Sequence, residues 1–387
     1  MTSIAALAIM LSCSNNPVEE VAQDIVDDTQ EETDGQQEFT GNLALPDIMY
    51  NYSAIDLPNH FGGDVSNIDN TPNNNPVTDA GATLGRVLFY DNLLSANNST
   101  SCASCHIQSR GFADPDRLSE GFEGGLTGRN SMGLSNVRFY DNGRFFWDER
   151  AATLEDQVLL PIQDEVEMGL TLTELVSKIQ AADYYEPLFL DAFGSNEVST
   201  ERISSALSQF VRSMVSYESE FDEGLAAVNG NPEIDFPNFS ALENLGKDLF
   251  FSGRTQCSNC HETVVFSGDE ARNNGLDIGF PDLGLGAVTG NARDNGRFKV
   301  NSLRNIELTA PYMHDGRFGT LREVVEFYNN GIQNNPNLDN RLRVMGDRVR
   351  RMNLNQTEIN ALVAFLNTLT DDSFVTDAKF SDPFINR

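Results

Sequence analysis

Apolar residues recur at helical spacing in four segments of the chain, and the four segments form two similar pairs. The first pair comprises LGRVLFY at 84–90 and LGKDLFF at 245–251, with apolar residues at positions i, i+4 and i+5. The second pair lies further along each half, with apolar residues at Ile203, Leu207, Phe210, Val211 and Met214 and at Ile359, Leu362, Val363 and Leu366. This periodicity predicts amphipathic α-helices, so the sequence indicates an all-α protein built from a duplicated helical unit.

Each unit contains the pentapeptide C-x-x-C-H. The two copies are Cys102-Ala-Ser-Cys105-His106 and Cys257-Ser-Asn-Cys260-His261. This is the attachment signature of haem c, in which two thiols add to the porphyrin vinyl groups and the adjacent His binds the iron. Zinc is the main competing interpretation, but it requires pairs close in sequence, whereas 155 residues separate these motifs. A thioredoxin-like redox pair explains neither the duplication nor the two histidines.

We therefore expect two tandem cytochrome c-like haem domains, an N-terminal one at 46–225 and a C-terminal one at 235–380. Gly, Asn and Pro cluster near 223–238, which places the junction there. The implied cofactors are two covalently bound haem c groups, with His106 as a ligand of the first iron and His261 as a ligand of the second.

A second duplicated segment follows each haem motif. It begins WDERAATL at Trp147 and HDGRFGTL at His314. Thr153 and Thr320 are suitable helix N-caps, and Thr320 forms a predicted capping box with Glu323. Both copies are therefore expected to lead into a helix.

The two copies differ at the end of this predicted helix. The second places Leu321, Val324 and Tyr328 on one stripe, and the first places Leu154, Gln157 and Pro161 there. Because Pro161 is expected to end the helix, this position supplies no side-chain ligand to the first haem. Tyr328 is either a core aromatic residue, which is the commoner case at helical spacing, or a phenol ligand of the second iron if this stripe faces the iron.

The N-terminus resembles an export signal. A short apolar run at 1–12 stops before Cys13, and the polar, acidic residues that follow to about 45 indicate a disordered tether. A Cys in this place resembles the lipidation site of a bacterial lipoprotein, although the segment lacks the usual Lys or Arg; an ordinary cleaved signal with an incidental Cys is the alternative. We therefore expect a periplasmic protein whose only membrane attachment is a lipid on Cys13.

The net charge of −32 restricts the choice of partners. Nucleic acids and anionic membrane surfaces would repel this chain, so a basic or neutral partner is favoured.

From about residue 48 to 380 the chain resembles the bacterial di-haem cytochrome c peroxidases and their MauG-type relatives. The resemblance rests on both C-x-x-C-H motifs, on FFWDERAATLEDQVLLPIQDEVEMG and on FKVNSLRNIELTAPYMHDGRFGTLREVVEFY. It implies that the N-terminal haem reacts with hydrogen peroxide and that the C-terminal haem passes electrons to it.

The resemblance also implies roles for individual residues. Trp147 matches a tryptophan between the haems, and Gln157 and Glu167 match polar residues of the peroxide pocket. Glu167 is then the acid-base group that peroxide cleavage requires. His314 matches a position that helps to connect the two haem environments. A calcium ion between the domains is implied at the positions that match Asn130, Thr309 and Pro311.

Two positions depart from the common peroxidase pattern. Phe122 occupies the place, sixteen residues after His106, where peroxidases activated by reduction carry a second His ligand. The first haem is therefore expected to be open without prior reduction. Tyr328 replaces the usual Met ligand of the second haem, as in MauG, and Met345 is a weaker competitor for that role. His60 matches no functional position and is expected to be a surface residue.

Three functions follow. The first is a peroxidase that reduces hydrogen peroxide to water with electrons from a small cytochrome c or a copper protein. The second is a MauG-like oxidase of a protein or small molecule, which Tyr328 favours but the presence of a single Trp opposes. The third is a non-enzymatic electron carrier with two haems. Peroxidases of this family are often homodimers.

Overall fold

The computed structural model describes residues 43–385, and these are mostly helical with little sheet. The expected signal, Cys13 and nearly all of the tether lie outside the described residues. The α-helices are α1 Asp64–Asn67, α2 Asp79–Tyr90, α3 Cys102–Cys105, α4 Leu154–Gln157, α5 Leu160–Gln163, α6 Leu172–Ala181, α7 Tyr185–Phe193, α8 Thr200–Ser213, α9 Glu220–Ala227, α10 Ala241–Phe251, α11 Leu285–Thr289, α12 Leu321–Glu326, α13 Gln356–Asn367 and α14 Asp372–Thr376.

Shorter elements connect these helices. One antiparallel hairpin joins β1 Arg343–Val344 to β2 Arg348–Val349, and a π-helical turn at Phe327–Gly331 continues α12. The 3₁₀ segments are Asn59–Phe61, Asn92–Leu94, Gln108–Arg110, Val137–Phe139, Cys257–Asn259, Ala292–Asp294, Ile306–Leu308, Asn340–Leu342 and Ala378–Phe380. The helical class predicted from the periodicity is confirmed.

Two large hydrophobic clusters form the core. The first contains buried residues from 43 to 214, and the second contains buried residues from 221 to 369. The C-terminal segment returns to the first cluster, because Phe374, Val375 and Phe380 pack there. Hydrogen bonds fix this return, and the Tyr90 hydroxyl donates to the Phe380 carbonyl at 2.7 Å. The sequence pattern gave no indication of this arrangement.

The duplicated helices pack in pairs, α2 against α8 and α10 against α13. The contact is close because each pair has a glycine at the crossing. A Cβ atom added to Gly85 would lie 2.0 Å from the Ala206 carbonyl oxygen, and one added to Gly246 would lie 1.9 Å from the Ala361 carbonyl oxygen. The glycine of LGR and LGK therefore allows the same backbone approach in both halves.

We expect Gly85→Ala and Gly246→Ala each to lower the free energy of unfolding by about 1–3 kcal/mol, the usual cost of overpacking. In an exposed helix the same change would stabilise, since Ala is the better helix former. Chemical denaturation of the haem-loaded protein measures the effect. Gly128→Ala is the control, because nothing lies within 4 Å of its added Cβ. Unchanged stability in both helix variants would contradict the close-packing account.

The two copies of the second duplicated segment have the same local fold. Antiparallel bridges join Phe145 to Ala151 in the first copy and Tyr312 to Phe318 in the second. The residue before Trp147 and the residue before His314 both have a left-handed backbone, with φ of 68° and 74°. Both predicted N-caps are present at the start of the following helix.

The two copies diverge after the cap, as expected, but the first helix ends earlier than predicted. Helix α4 ends at Gln157, and Pro161 lies in the first turn of the separate helix α5. The prediction that Pro161 itself ends the helix is therefore wrong. Proline is well tolerated in a first turn, where its missing N–H has no intrahelical partner to lose.

Candidate active site and haem pockets

The second C-x-x-C-H motif opens onto a cavity of about 260 Å³. Cys257, Cys260 and His261 line it, together with many apolar side chains. The stripe predicted on the following helix also faces this cavity, since Leu321, Val324 and Tyr328 are among its lining residues. The structure thus places Tyr328 in the same pocket as His261.

Both motif histidines are oriented by a backbone carbonyl. Nδ1 of His106 donates to the Phe112 carbonyl at 2.7 Å, and Nδ1 of His261 donates to the Phe266 carbonyl at 3.2 Å. Because a carbonyl only accepts, the proton is on Nδ1 and the lone pair on Nε2 is available to a metal. Burial lowers the pKa of both imidazoles, that of His261 to about 4, so both are neutral.

These residues fit a c-type haem at each motif. Such a haem requires two thiols and an oriented neutral imidazole, and both motifs supply them. The second motif also opens onto a largely apolar cavity.

Tyr328 is a buried phenol in the second pocket. Burial raises the pKa of Tyr328 to about 12. The Asn274 amide lies 3.4 Å from its oxygen and 3.5 Å from the sulfur of Met313, which lines the same cavity. Met345 is 90% exposed and is absent from that lining, so the expectation that it competes as a ligand is wrong. Met132, Met313 and Met352 line this cavity, and the sequence analysis identified none of them.

Glu167 lies near the first haem motif. Burial raises the pKa of the thiols of Cys102 and Cys105, and the charge of Glu167 raises both further. The pKa of Glu167 is itself raised to about 6, first by burial and then by Asp164, against an opposing effect of Arg150. This carboxyl group therefore changes its protonation state close to neutral pH.

Phe122 contacts the backbone of Glu167 and the nearby Gly169. Its backbone N–H donates to the Glu167 carbonyl at 3.1 Å, and its ring packs so closely on Gly169 that an added Cβ would lie 2.5 Å from it. Gln157 is half-buried at the end of α4, and among residues 43–385 no hydrogen bond joins its side chain to Glu167.

Trp147 and His314 are neighbours. Their ring centroids are 6.5 Å apart, and His314 stacks on Phe298 at 3.7 Å. Asn130 links the two copies of the segment, because its carbonyl accepts from the Trp147 indole at 2.7 Å and its N–H donates to the His314 carbonyl at 2.9 Å. The duplicated segments therefore meet at this point.

Asn130, Thr309 and Pro311, the residues of the expected calcium site, line one cavity with Trp147 and His314. Within the described range, no cluster of three or more His, Cys, Asp or Glu side chains suited to a metal was found.

Sequence reasoning missed a buried polar cluster beside Trp147. Tyr140 donates a short hydrogen bond to Glu149, and the ammonium group of Lys299 lies 3.2 Å from the centre of the Tyr140 ring. The backbone N–H of Lys299 donates to the Trp147 carbonyl at 2.7 Å. Burial lowers the pKa of Lys299 to about 7. Nothing in the sequence sets these three residues apart from other polar residues.

The expectation that His60 is a surface residue is wrong. Its side chain is 7% exposed, and Nε2 lies 2.9 Å from a carboxylate oxygen of Asp222. Asp222 also pairs with the buried Arg304, which holds its pKa well below the usual range despite burial. His60 is thus part of a buried ionic cluster that tertiary contacts assemble.

A mostly helical chain with two such motifs, each with an oriented histidine, defines a di-haem c-type cytochrome. The sequence model of the di-haem cytochrome c peroxidase family matches residues 79–229. The methylamine utilization protein MauG of Methylorubrum extorquens is 34% identical over 303 residues, which cover 77% of this chain and 80% of that protein. The cytochrome c551 peroxidase of Nitrosomonas europaea is 34% identical over 296 residues, or 75% of this chain and 80% of that one.

Among solved structures, a MauG-like protein associated with microbial copper homeostasis is similar to this chain. Its sequence is 34% identical, the TM-score is 0.73, and the match covers 85% of this chain and 99% of that one. The chain belongs to the di-haem cytochrome c peroxidase and MauG family, which confirms the resemblance and makes the protein an oxidoreductase with two haem c groups.

None of the helices between residues 43 and 385 is both long enough and apolar enough to cross a membrane.

Proposed function

We propose that this protein reduces hydrogen peroxide to water with electrons from a small cytochrome c or a copper protein. The observation that carries this proposal is Glu167, a partly buried carboxyl group with a raised pKa close to Cys102 and Cys105. When bound, the first haem supplies the redox chemistry that breaks the O–O bond. Glu167 accepts a proton from the peroxide and returns it to the departing oxygen, which leaves as water.

The other residues bind and connect the two haems. In this proposal the first domain is 46–225 and the second is 235–380, with Tyr328 as the second ligand of the second iron. Trp147 carries electrons between the haems, and its hydrogen bond to the Asn130 carbonyl keeps the indole in place. His314, stacked on Phe298, helps to hold this contact between the duplicated segments.

A MauG-like oxidase is the second candidate, because Tyr328 shares a cavity with His261. A phenolate stabilises higher oxidation states of iron than a thioether does. An oxidase would then act on a protein or small molecule. The single Trp of the chain opposes a protein substrate, since no second Trp is available to carry an electron from the surface.

Steady-state turnover separates the two candidates. The haem-loaded protein is mixed with hydrogen peroxide and a reduced small cytochrome c, and in parallel with a reduced cupredoxin. Rapid oxidation of either donor, in the 2:1 ratio that two-electron reduction requires, supports the peroxidase. A long-lived oxidised protein that both donors discharge only slowly would overturn it in favour of the oxidase.

Replacing Phe122 by His tests the proposal that the first haem reacts with peroxide without prior reduction because it lacks a second His ligand. We expect the new imidazole to bind the first iron, so that the high-spin ferric signal decreases and the reaction with peroxide slows until the protein is reduced. Electron paramagnetic resonance and stopped-flow absorbance measure the two effects. Phe122→Leu is the matched control and should keep the signal; a full high-spin signal in Phe122→His would contradict this explanation.

The remaining expectations belong to the same proposal. A calcium ion at Asn130, Thr309 and Pro311 should be removed by a chelator and restored by titration with calcium, with a change in the haem spectrum.

Periplasmic location and a lipid on Cys13 are tested by cell fractionation and by mass spectrometry of the N-terminal peptide. Light scattering at several concentrations tests the homodimer.

A further inference from the structure

An arginine-rich groove of about 830 Å³ lies beside the second haem cavity. The arginine groove, as we name it, is formed by two loops, at 291–297 and 334–347, and by residues 270–273. Five arginines and five asparagines line it, against three carboxylates. The arginines are Arg272, Arg293, Arg297, Arg341 and Arg343, and the carboxylates are Glu270, Asp339 and Asp347. The lining side chains thus carry two more positive than negative charges, on a chain whose net charge is −32.

Two of the three carboxylates are already engaged with one arginine. Arg272 pairs with Asp339 at 2.9 Å and with Glu270 at 3.2 Å, and it also pairs with Asp269. The Nε atom of Arg272 is nevertheless buried and has no hydrogen-bond partner among the described residues. A buried donor without a partner has a free-energy cost that a ligand or water can remove.

The other four arginines each make at most one described ion pair, and that of Arg341 is with Asp339 at 3.5 Å. Arg343 donates to neutral oxygens only, at 2.6 Å to the Asn335 carbonyl and at 3.1 Å to the Asn334 side chain. Arg297 has one distant ion pair, with Asp294 at 3.5 Å. Arg293 is exposed. The groove therefore contains two guanidinium groups without a described ion pair, those of Arg293 and Arg343, and two whose described ion pairs are at 3.5 Å.

The walls of the groove are held in place before any ligand binds. The Asn337 side chain donates to the carbonyls of Ala292 at 2.7 Å and Asn295 at 3.0 Å, which ties one loop to the other. The Asn335 side chain donates to the Asn273 side chain at 3.0 Å. A preorganised concave site loses little conformational entropy on binding.

We propose that the arginine groove binds a compact multivalent oxyanion. Guanidinium groups match the planar geometry of phosphoryl and carboxylate oxygens, and asparagine amides add further donors. The concave shape and the converging donors favour a small anion over a flat protein surface. Arg272, Asn273 and Asp339 line both the groove and the second haem cavity, so the bound anion lies next to the electron-accepting half of the protein.

Calorimetric titration of the haem-loaded protein tests this site. The probes are inorganic pyrophosphate and, separately, citrate, with sodium chloride added to hold the ionic strength constant. We expect one saturable site for at least one probe, and the comparison distinguishes a phosphoryl ligand from a carboxylate ligand. The Arg293→Gln/Arg297→Gln double variant should weaken binding about tenfold or more, because charge-assisted hydrogen bonds are lost.

Arg348→Gln is the matched control. It removes one positive charge, as the single variant Arg343→Gln does, but Arg348 lies on the neighbouring strand β2 and does not line the groove, so binding should be unchanged. Arg343→Gln provides a second variant within the groove. The absence of saturable binding by either probe, or equal weakening in Arg348→Gln, would overturn the proposal. Loss of affinity for an acidic electron donor in the double variant, without binding of either probe, would identify a protein docking surface instead and would also overturn it.

Discussion

Replacing Glu167 by Gln should slow the reaction with hydrogen peroxide by about 10²- to 10⁴-fold, the usual contribution of a general acid-base group. The substitution keeps the size and hydrogen-bonding capacity of the side chain but removes the proton that it exchanges. Stopped-flow absorbance at limiting peroxide measures the rate directly and is independent of the electron donor.

The pH dependence of the peroxide reaction shows which protonation state of Glu167 is the active one. Burial raises the pKa of Glu167 to about 6, so the carboxylate that accepts the first proton is lost as the pH falls through that value. The rate should be constant above pH 6 and fall about tenfold for each pH unit below it, and Glu167→Gln should abolish this dependence. Glu165→Gln is the control, since it removes a charge from an exposed neighbour. An unchanged pH profile in Glu167→Gln would exclude Glu167 as the proton acceptor.

Replacing Tyr328 by Met should raise the reduction potential of the second haem by on the order of 0.1 V or more, within the range of about 0.8 V that axial ligands span. A thioether favours ferrous iron, whereas a phenolate favours ferric iron. The raised pKa of Tyr328, about 12, makes the free phenol a weak acid, so only direct binding to the metal would hold it ionised at neutral pH. Spectroelectrochemical titration of the two haems measures the shift.

Two variants show whether the shift comes from ligation. Tyr328→Phe should change the absorbance spectrum of one haem only. Tyr312→Phe is the matched control, because Tyr312 lines the same cavity but its hydroxyl donates to the Ile306 carbonyl at 2.9 Å. An identical spectrum and potential in Tyr328→Phe would show that Tyr328 is a core aromatic residue and not a ligand.

Local sequence signals predicted local structure well in this protein. The helical periodicity of 84–90 and 356–367 and the capping box of Thr320 with Glu323 depend on residues within four or five positions of one another. Such contacts form in the same way wherever the segment lies in the fold. The prediction for Pro161 was wrong because a proline is compatible with both the end of one helix and the start of another.

The places of His60, Met313 and Lys299 could not be predicted in this way. The partner of His60 is 162 residues away, and Lys299 contacts Tyr140 across the two halves of the chain. Their burial results from which loops meet, and no short-range spacing encodes that. Met345 and Met313 are equivalent as residue types, yet one is 90% exposed and the other lines the second cavity.

The sequence by itself determined the helical class, the duplicated segments and the two C-x-x-C-H motifs, because each is encoded by a motif or a periodicity within a short segment. Only the tertiary structure decided that Tyr328 faces the pocket of His261, that Glu167 lies near Cys102 and Cys105, and that Trp147 meets His314. These proximities join residues from 62 to 167 positions apart. The burial that raises the pKa of Glu167 to about 6 is likewise a property of the packed fold, since desolvation requires neighbours that the local sequence does not supply.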